Sequence, residues 1–129
     1  MESPTQRQSD INIILDFAHR DALSMAVEDS AGPWELLWDL FQQFPDSDQS
    51  FLKLIAQLSL IELAYTDQIC IVRWNPESNI EEELTPAGLI SALWLPETWN
   101  ADVSGLTPHL RFYATSAGRD IYSSRAVRA

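Results

Sequence analysis

Residues that form covalent or metal cross-links are scarce in this sequence. Its 129 residues include one cysteine, Cys70, and two histidines. A single cysteine cannot close an internal disulfide, and no second cysteine is available for a CxxC motif or a tetrahedral zinc site. Cys70 lies in the apolar run 69–72, which predicts a buried small residue of a strand. We therefore expect neither a metal nor a cofactor.

Long apolar runs are also missing. The most apolar stretch, 51–65, contains Lys53, Gln57 and Glu62, whereas a helix that crosses a bilayer needs about 20 predominantly apolar residues. The first sixteen residues are polar, with one arginine and three acids, and do not follow the pattern of a secretory signal. We expect a cytoplasmic protein with no membrane segment.

Basic residues are few, and they are unevenly placed. Eight Lys and Arg stand against 19 Asp and Glu, which gives a formal charge of -11. Residues 1–103 hold 18 of the acids and four of the bases, whereas 104–129 hold Asp120 and four arginines. A protein that binds nucleic acid generally presents a basic face, so the acidity argues against a nucleic-acid partner. Solubility alone would also explain the acidity.

Apolar residues make up 46% of the chain, enough for one domain over 1–129 with flexible ends at 1–8 and 124–129. Three helices are predicted from the spacing of apolar residues. The first begins at Ser9 or Asp10, the second follows Gly32-Pro33, and the third covers 51–65 with Ser50 as its cap. Its apolar residues, which include Leu54, Leu58 and Tyr65, occupy so broad an arc that we expect a central helix.

The second half of the chain predicts two strands, 69–74 and 110–115, separated by a long insert. Within the insert, 77–83 reads as a solvated acidic loop, and a short helix follows Thr85-Pro86 and ends before Pro96. A Thr-x-Ala-Gly pattern at Thr85 recurs at Thr115. We interpret both threonines as helix caps.

This order resembles that of winged-helix domains, and the junction Thr115-Ser116-Ala117-Gly118 is similar to the one that ends their wing. The resemblance implies a mostly helical α+β fold: a three-helix core and a small antiparallel β-hairpin, here with a helical insert between its strands. Another small α+β arrangement is the alternative. The resemblance also implies a dimeric transcription regulator that contacts DNA phosphates through Arg111 and Arg119. Its third helix, however, offers Lys53 as its only cation.

Aromatic residues cluster at two places. The residues Trp34, Trp38, Phe41 and Phe44 recur at helical spacing and are predicted to be core, although they could form a binding groove. Trp94 and Trp99 flank a Leu-Pro-Glu corner, and we expect one of the two indoles to be partly exposed on a contact surface.

No complete catalytic signature is present, and we expect a protein without enzymatic activity. In size, acidity and low cysteine content the chain is similar to bacterial immunity proteins and other acidic inhibitors. That likeness implies a basic protein partner, such as a nuclease toxin, whose cationic site the carboxylates would cover. We expect a monomer or homodimer. The predicted contact residues are Glu77, Glu81, Glu82 and Glu83, with Trp94 or Trp99 as apolar anchor and Asp46 and Asp48 in reserve.

Overall fold

The computed structural model describes residues 4–100 and 109–128, and these form a mostly helical α+β fold, as predicted. The helices are α1 (Pro4–Glu28), α2 (Pro33–Gln43), α3 (Gln49–Tyr65), α4 (Pro86–Trp94) and α5 (Ser116–Arg128). The strands are β1 (Ile69–Asn75), β2 (Ile80–Glu83) and β3 (His109–Ala114), and a 3₁₀ turn covers Pro96–Trp99. None of the helices in these described parts is both long and apolar enough to span a lipid bilayer.

The three strands form an antiparallel sheet in the order β2-β1-β3. The two predicted strands pair with each other across the helical insert, with Cys70 opposite Tyr113. The prediction that 77–83 is a loop is wrong, because Ile80–Glu83 pairs with β1 and places Glu83 opposite Val72. Glutamate has little intrinsic preference for strands, and here pairing with an apolar neighbour strand outweighs that preference.

Helix α3 lies at the centre of the fold. It packs against α1, α2, α4 and β1, as its broad apolar arc predicted. The core residues Leu52, Ile55, Leu60 and Leu63 are on α3, and Phe112 from the middle of β3 joins the same cluster. Leu54, Leu58 and Tyr65, which the sequence also placed on the packed side, are exposed. The helices that flank α3 leave that sector of its surface open.

Both Thr-x-Ala-Gly caps are present. The Thr85 hydroxyl accepts the Gly88 N–H at 3.1 Å, and the Thr115 hydroxyl accepts the Gly118 N–H at 3.0 Å. The cap of α3 is Asp48, which accepts from the Phe51 N–H at 3.1 Å, and not Ser50. The terminal helices are also longer than predicted: α1 already begins at Pro4, and α5 continues to Arg128.

Helix α2 buries a different face from the one predicted. Leu36, Leu37 and Leu40 lie in the core, whereas Trp38 is 58% exposed. Trp34, Phe41 and Phe44 are half-buried. Because α2 carries apolar side chains on both sides, spacing alone did not decide which side would pack. The leucine side contacts the core, and Trp38 is left at the surface.

Candidate functional site

A cavity of about 370 Å³ lies beside the first residues of β1. It is bounded by the C-terminal end of α3, by β1, and by the segment that leads from β2 into α4. Pockets that hold small molecules usually measure about 300–1,000 Å³, so this cavity is at the lower end of that range. Its size fits a small ligand or a single side chain of a partner.

The ends of two elements create this cavity. Strand β2 is in register only with 72–75 of β1. The residue after β2, Leu84, makes the last hydrogen bond to β1, from its N–H to the Ile71 carbonyl at 3.3 Å. The chain then turns away at Thr85 to begin α4. The first residues of β1, including Ile69 and Cys70, therefore extend beyond β2. They pair with β3 on one side and border the cavity where β2 is missing on the other.

Three polar side chains meet at one wall of the cavity. Cys70 lies opposite Tyr113 across the sheet, and both residues line the cavity together with Glu83. Burial raises the pKa of the Cys70 thiol. The neighbouring Cys70 thiol raises the pKa of Tyr113 to about 12, with burial and nearby glutamates adding to the effect. The thiol and the phenol are thus neutral at physiological pH. Cys70 was predicted to be a buried strand residue, but it is only half-buried and lines this cavity.

The predicted contact glutamates are all exposed, but the strand divides them. Successive strand residues point to opposite sides of a sheet. Glu81 and Glu83 therefore share the face that carries Cys70, whereas Glu82 lies on the other face, opposite Arg73. Glu77 belongs to the turn before β2. The division of these glutamates between the two faces of the sheet could not be predicted from the sequence, because β2 was not predicted.

The other predicted contact residues have different surroundings. Trp94 is 51% exposed at the end of α4, whereas Trp99 is 7% exposed and its indole N–H donates to the Leu93 carbonyl at 2.8 Å. Trp99 is a core residue, which leaves Trp94 as the candidate anchor. Asp46 is exposed, and Asp48 caps α3.

The two arginines that the winged-helix resemblance assigned to DNA contact have structural partners. Arg111 donates from Nε to the Ser30 hydroxyl at 2.8 Å and from Nη2 to the Ser30 carbonyl at 2.7 Å. Arg119 donates from Nη1 to the Val27 carbonyl at 3.2 Å. Both side chains thereby tie the C-terminal part of the chain to the end of α1.

A second site with a shifted pKa lies between α1 and α2, where Asp21 faces Asp39. Burial, the hydrogen bond with Asp39, and the charges of Asp39 and Glu28 raise the pKa of Asp21 to about 7 from an ordinary value of 3.8. The folded protein holds this proton more tightly than the unfolded chain, so its stability falls as the pH rises between these two values. The free energy of unfolding falls by about 1–2 kcal/mol over this range. This is less than the full pKa shift implies, because water screens a half-buried charge.

Replacing Asp21 by asparagine is expected to remove this pH dependence. The amide carries no charge for burial or Asp39 to disfavour, so the free energy of unfolding rises by about 1 kcal/mol near pH 8 and changes little near pH 4. Urea denaturation at several pH values measures the effect. The control is Asp16→Asn, which removes only an exposed ion pair with Arg20. An unchanged pH slope in the Asp21 variant would contradict the assignment.

In the described parts of the chain, no three histidine, cysteine or carboxylate side chains are grouped closely enough to hold a metal ion. Comparison of the chain with protein-family models, with curated proteins and with solved structures finds no match.

Proposed function

We propose that the protein is a cytoplasmic, non-enzymatic binding protein whose acidic β1–β2 hairpin docks on a basic protein. An immunity-type inhibitor that covers the cationic site of a nuclease toxin is the concrete form of this proposal. The observation that carries it is the state of the hairpin carboxylates. Among the described residues the ion pairs are Arg20–Asp16 and His19–Glu62, so no cation lies within 4.0 Å of the exposed hairpin glutamates.

Exposed, unpaired carboxylates favour such an encounter for two reasons. Their field accelerates association with a positively charged surface, and their desolvation is offset when cations of the partner replace water. Apolar surface is available as well, since Ile80 of β2 is 63% exposed. Burial of such apolar surface against a partner favours association.

The surface of α3 supports a protein partner over DNA. A winged-helix regulator would read the major groove with this helix. Its exposed residues are Gln49, Ser50, Leu54, Leu58, Glu62 and Tyr65. Gln49 and Ser50 could hydrogen-bond to bases. The exposed set contains no positive charge for phosphates, and Glu62 would repel them.

Reversal of the hairpin charge is expected to weaken capture of the partner. The test variant is Glu77→Lys with Glu81→Lys, because Glu82 faces Arg73 and Glu83 lines the cavity. The control is Asp29→Lys with Glu97→Lys, which changes two other exposed acids by the same total charge. We expect the hairpin variant to retain about ten-fold less of a basic protein in a low-salt pull-down from nuclease-treated lysate, with an unchanged Tm.

The outcomes of this experiment distinguish a basic protein partner from nucleic acid. A basic protein that the wild type and the control variant retain, and that the hairpin variant loses, supports the proposal. Equal retention by both variants would move the interface away from the hairpin and overturn it. Material that is retained only when nuclease is omitted would point to nucleic acid and to the regulator.

A further inference from the structure

The cavity beside β1 has a strongly asymmetric wall. Ile69, Leu84, Pro86 and Leu89 make one part of it apolar. The charged residues that line it are Asp67 and Glu83, and none of the described lining residues is basic. A ligand that fills this space therefore meets hydrocarbon together with negative charge.

The polar part of the wall is fixed in place by the fold. Asp67 adopts a left-handed backbone conformation with φ of 59°, and its carbonyl accepts the Thr115 hydroxyl at 2.5 Å. The backbone of Glu83 is held by its place in β2, opposite Val72 of β1. Asp67 lies in the turn between α3 and β1 and Glu83 at the end of β2, and the two residues line the same space.

Aromatic residues complete the wall. Tyr65 from the end of α3 and Tyr113 from β3 both line the cavity. The rings of tyrosine attract organic cations through their π electrons, and carboxylates attract them through charge. An anion would instead be repelled by Asp67 and Glu83, and a neutral apolar molecule would gain nothing from their charges.

We propose that this cavity binds a small organic amine, a primary ammonium group carried on an apolar stem. The ammonium group lies against Glu83, and the stem packs on the apolar wall of Leu84 and Leu89. This ligand site goes beyond the proposed docking of the hairpin. The same chemistry is carried by a free alkylamine and by the lysine side chain of a protein.

Cys70 provides the readout, because it lines the cavity and is the protein's only cysteine. Hexylamine, hexanol and hexanoate have stems of equal length and differ in charge. We expect millimolar hexylamine to slow alkylation of Cys70 by neutral iodoacetamide at least about three-fold, and hexanol and hexanoate to slow it little. Mass spectrometry of the intact protein gives the rates.

Matched variants test the role of the carboxylate. Glu83→Gln is expected to weaken the apparent affinity for hexylamine about five-fold, the scale of a partly exposed ion pair. Glu82→Gln, on the opposite face of the same strand, leaves it unchanged. The rate without ligand is measured for each variant, so that any direct effect of Glu83 on the thiol is divided out.

Two results would overturn the proposal: equal protection by hexanol, or no protection by hexylamine in the folded wild type. A further arm uses N-acetyl-lysine methylamide to separate the sources. Protection by this compound as well as by hexylamine assigns the site to a protein lysine, and protection by hexylamine alone assigns it to a free amine. Because the assay contains no protein partner, its failure leaves the pull-down result unaffected, and the converse also holds.

Discussion

Replacing Gly118 by alanine is expected to destabilise the protein by about 3 kcal/mol. A Cβ atom at this position would lie 2.0 Å from the Gln68 carbonyl oxygen, which is backbone and cannot rotate away. The same carbonyl accepts the Thr115 N–H at 3.1 Å, so displacing it also disturbs the junction between β3 and α5. Urea denaturation followed by far-UV circular dichroism measures the loss.

The chain contains its own control for this substitution. Gly88 occupies the equivalent position after the other capping threonine, and a Cβ atom there would lie 3.1 Å from the Thr85 hydroxyl oxygen. Alanine favours a helix over glycine by about 1 kcal/mol, which offsets this milder contact. We expect Gly88→Ala to change stability by less than about 1 kcal/mol. Equal effects at the two glycines would contradict the close approach at Gly118.

The second large effect is expected at Trp99. Trp99→Ala removes a buried indole from the junction of α4 with the rest of the core, and such truncations cost about 3–5 kcal/mol. The Leu93 carbonyl loses one of its two donors and keeps the other, the Gln57 side-chain amide at 3.0 Å. The midpoint of urea denaturation is expected to fall accordingly.

Two further variants make this prediction specific. Trp94→Ala removes an indole that is half-exposed, so its cost is below about 1 kcal/mol. Trp99→Phe keeps most of the buried ring but lacks the N–H donor, and we expect it to lower the free energy of unfolding by about 1–2 kcal/mol. This variant tests the prediction even if the alanine variant fails to fold. A larger loss of stability at Trp94 than at Trp99 would contradict the packing described.

Local signals in the sequence were sufficient for much of the fold. Thr85 and Thr115 were identified as caps because a hydroxyl three residues before a free N–H acts within one turn of chain. Strands β1 and β3 were identified from β-branched and aromatic residues. Their pairing across the insert was implied by the resemblance to winged-helix domains. The exposed state of the hairpin glutamates followed from charge alone.

Features that depend on distant partners could not be predicted in this way. Strand β2 exists because β1 lies beside it, and its glutamates indicated a loop. The exposure of Trp38 depends on which side of α2 reaches the core, a choice that spacing leaves open. The cavity depends on where β2 ends relative to β1. The raised pKa of Asp21 depends on its burial and on Asp39 across a helix interface.

Strand β2 also determines how the sheet meets other copies of the protein. It is an edge strand, and edge strands can pair with strands of neighbouring molecules and so start aggregation. Glu81, Glu82 and Glu83 would stand close to the same glutamates of an added copy, and like charges directly opposite one another oppose pairing. On the other side of the sheet, Ala31 occupies part of the edge of β3 through its bridge to Phe112. The charge of these glutamates therefore keeps the β2 edge from pairing with another copy of the chain.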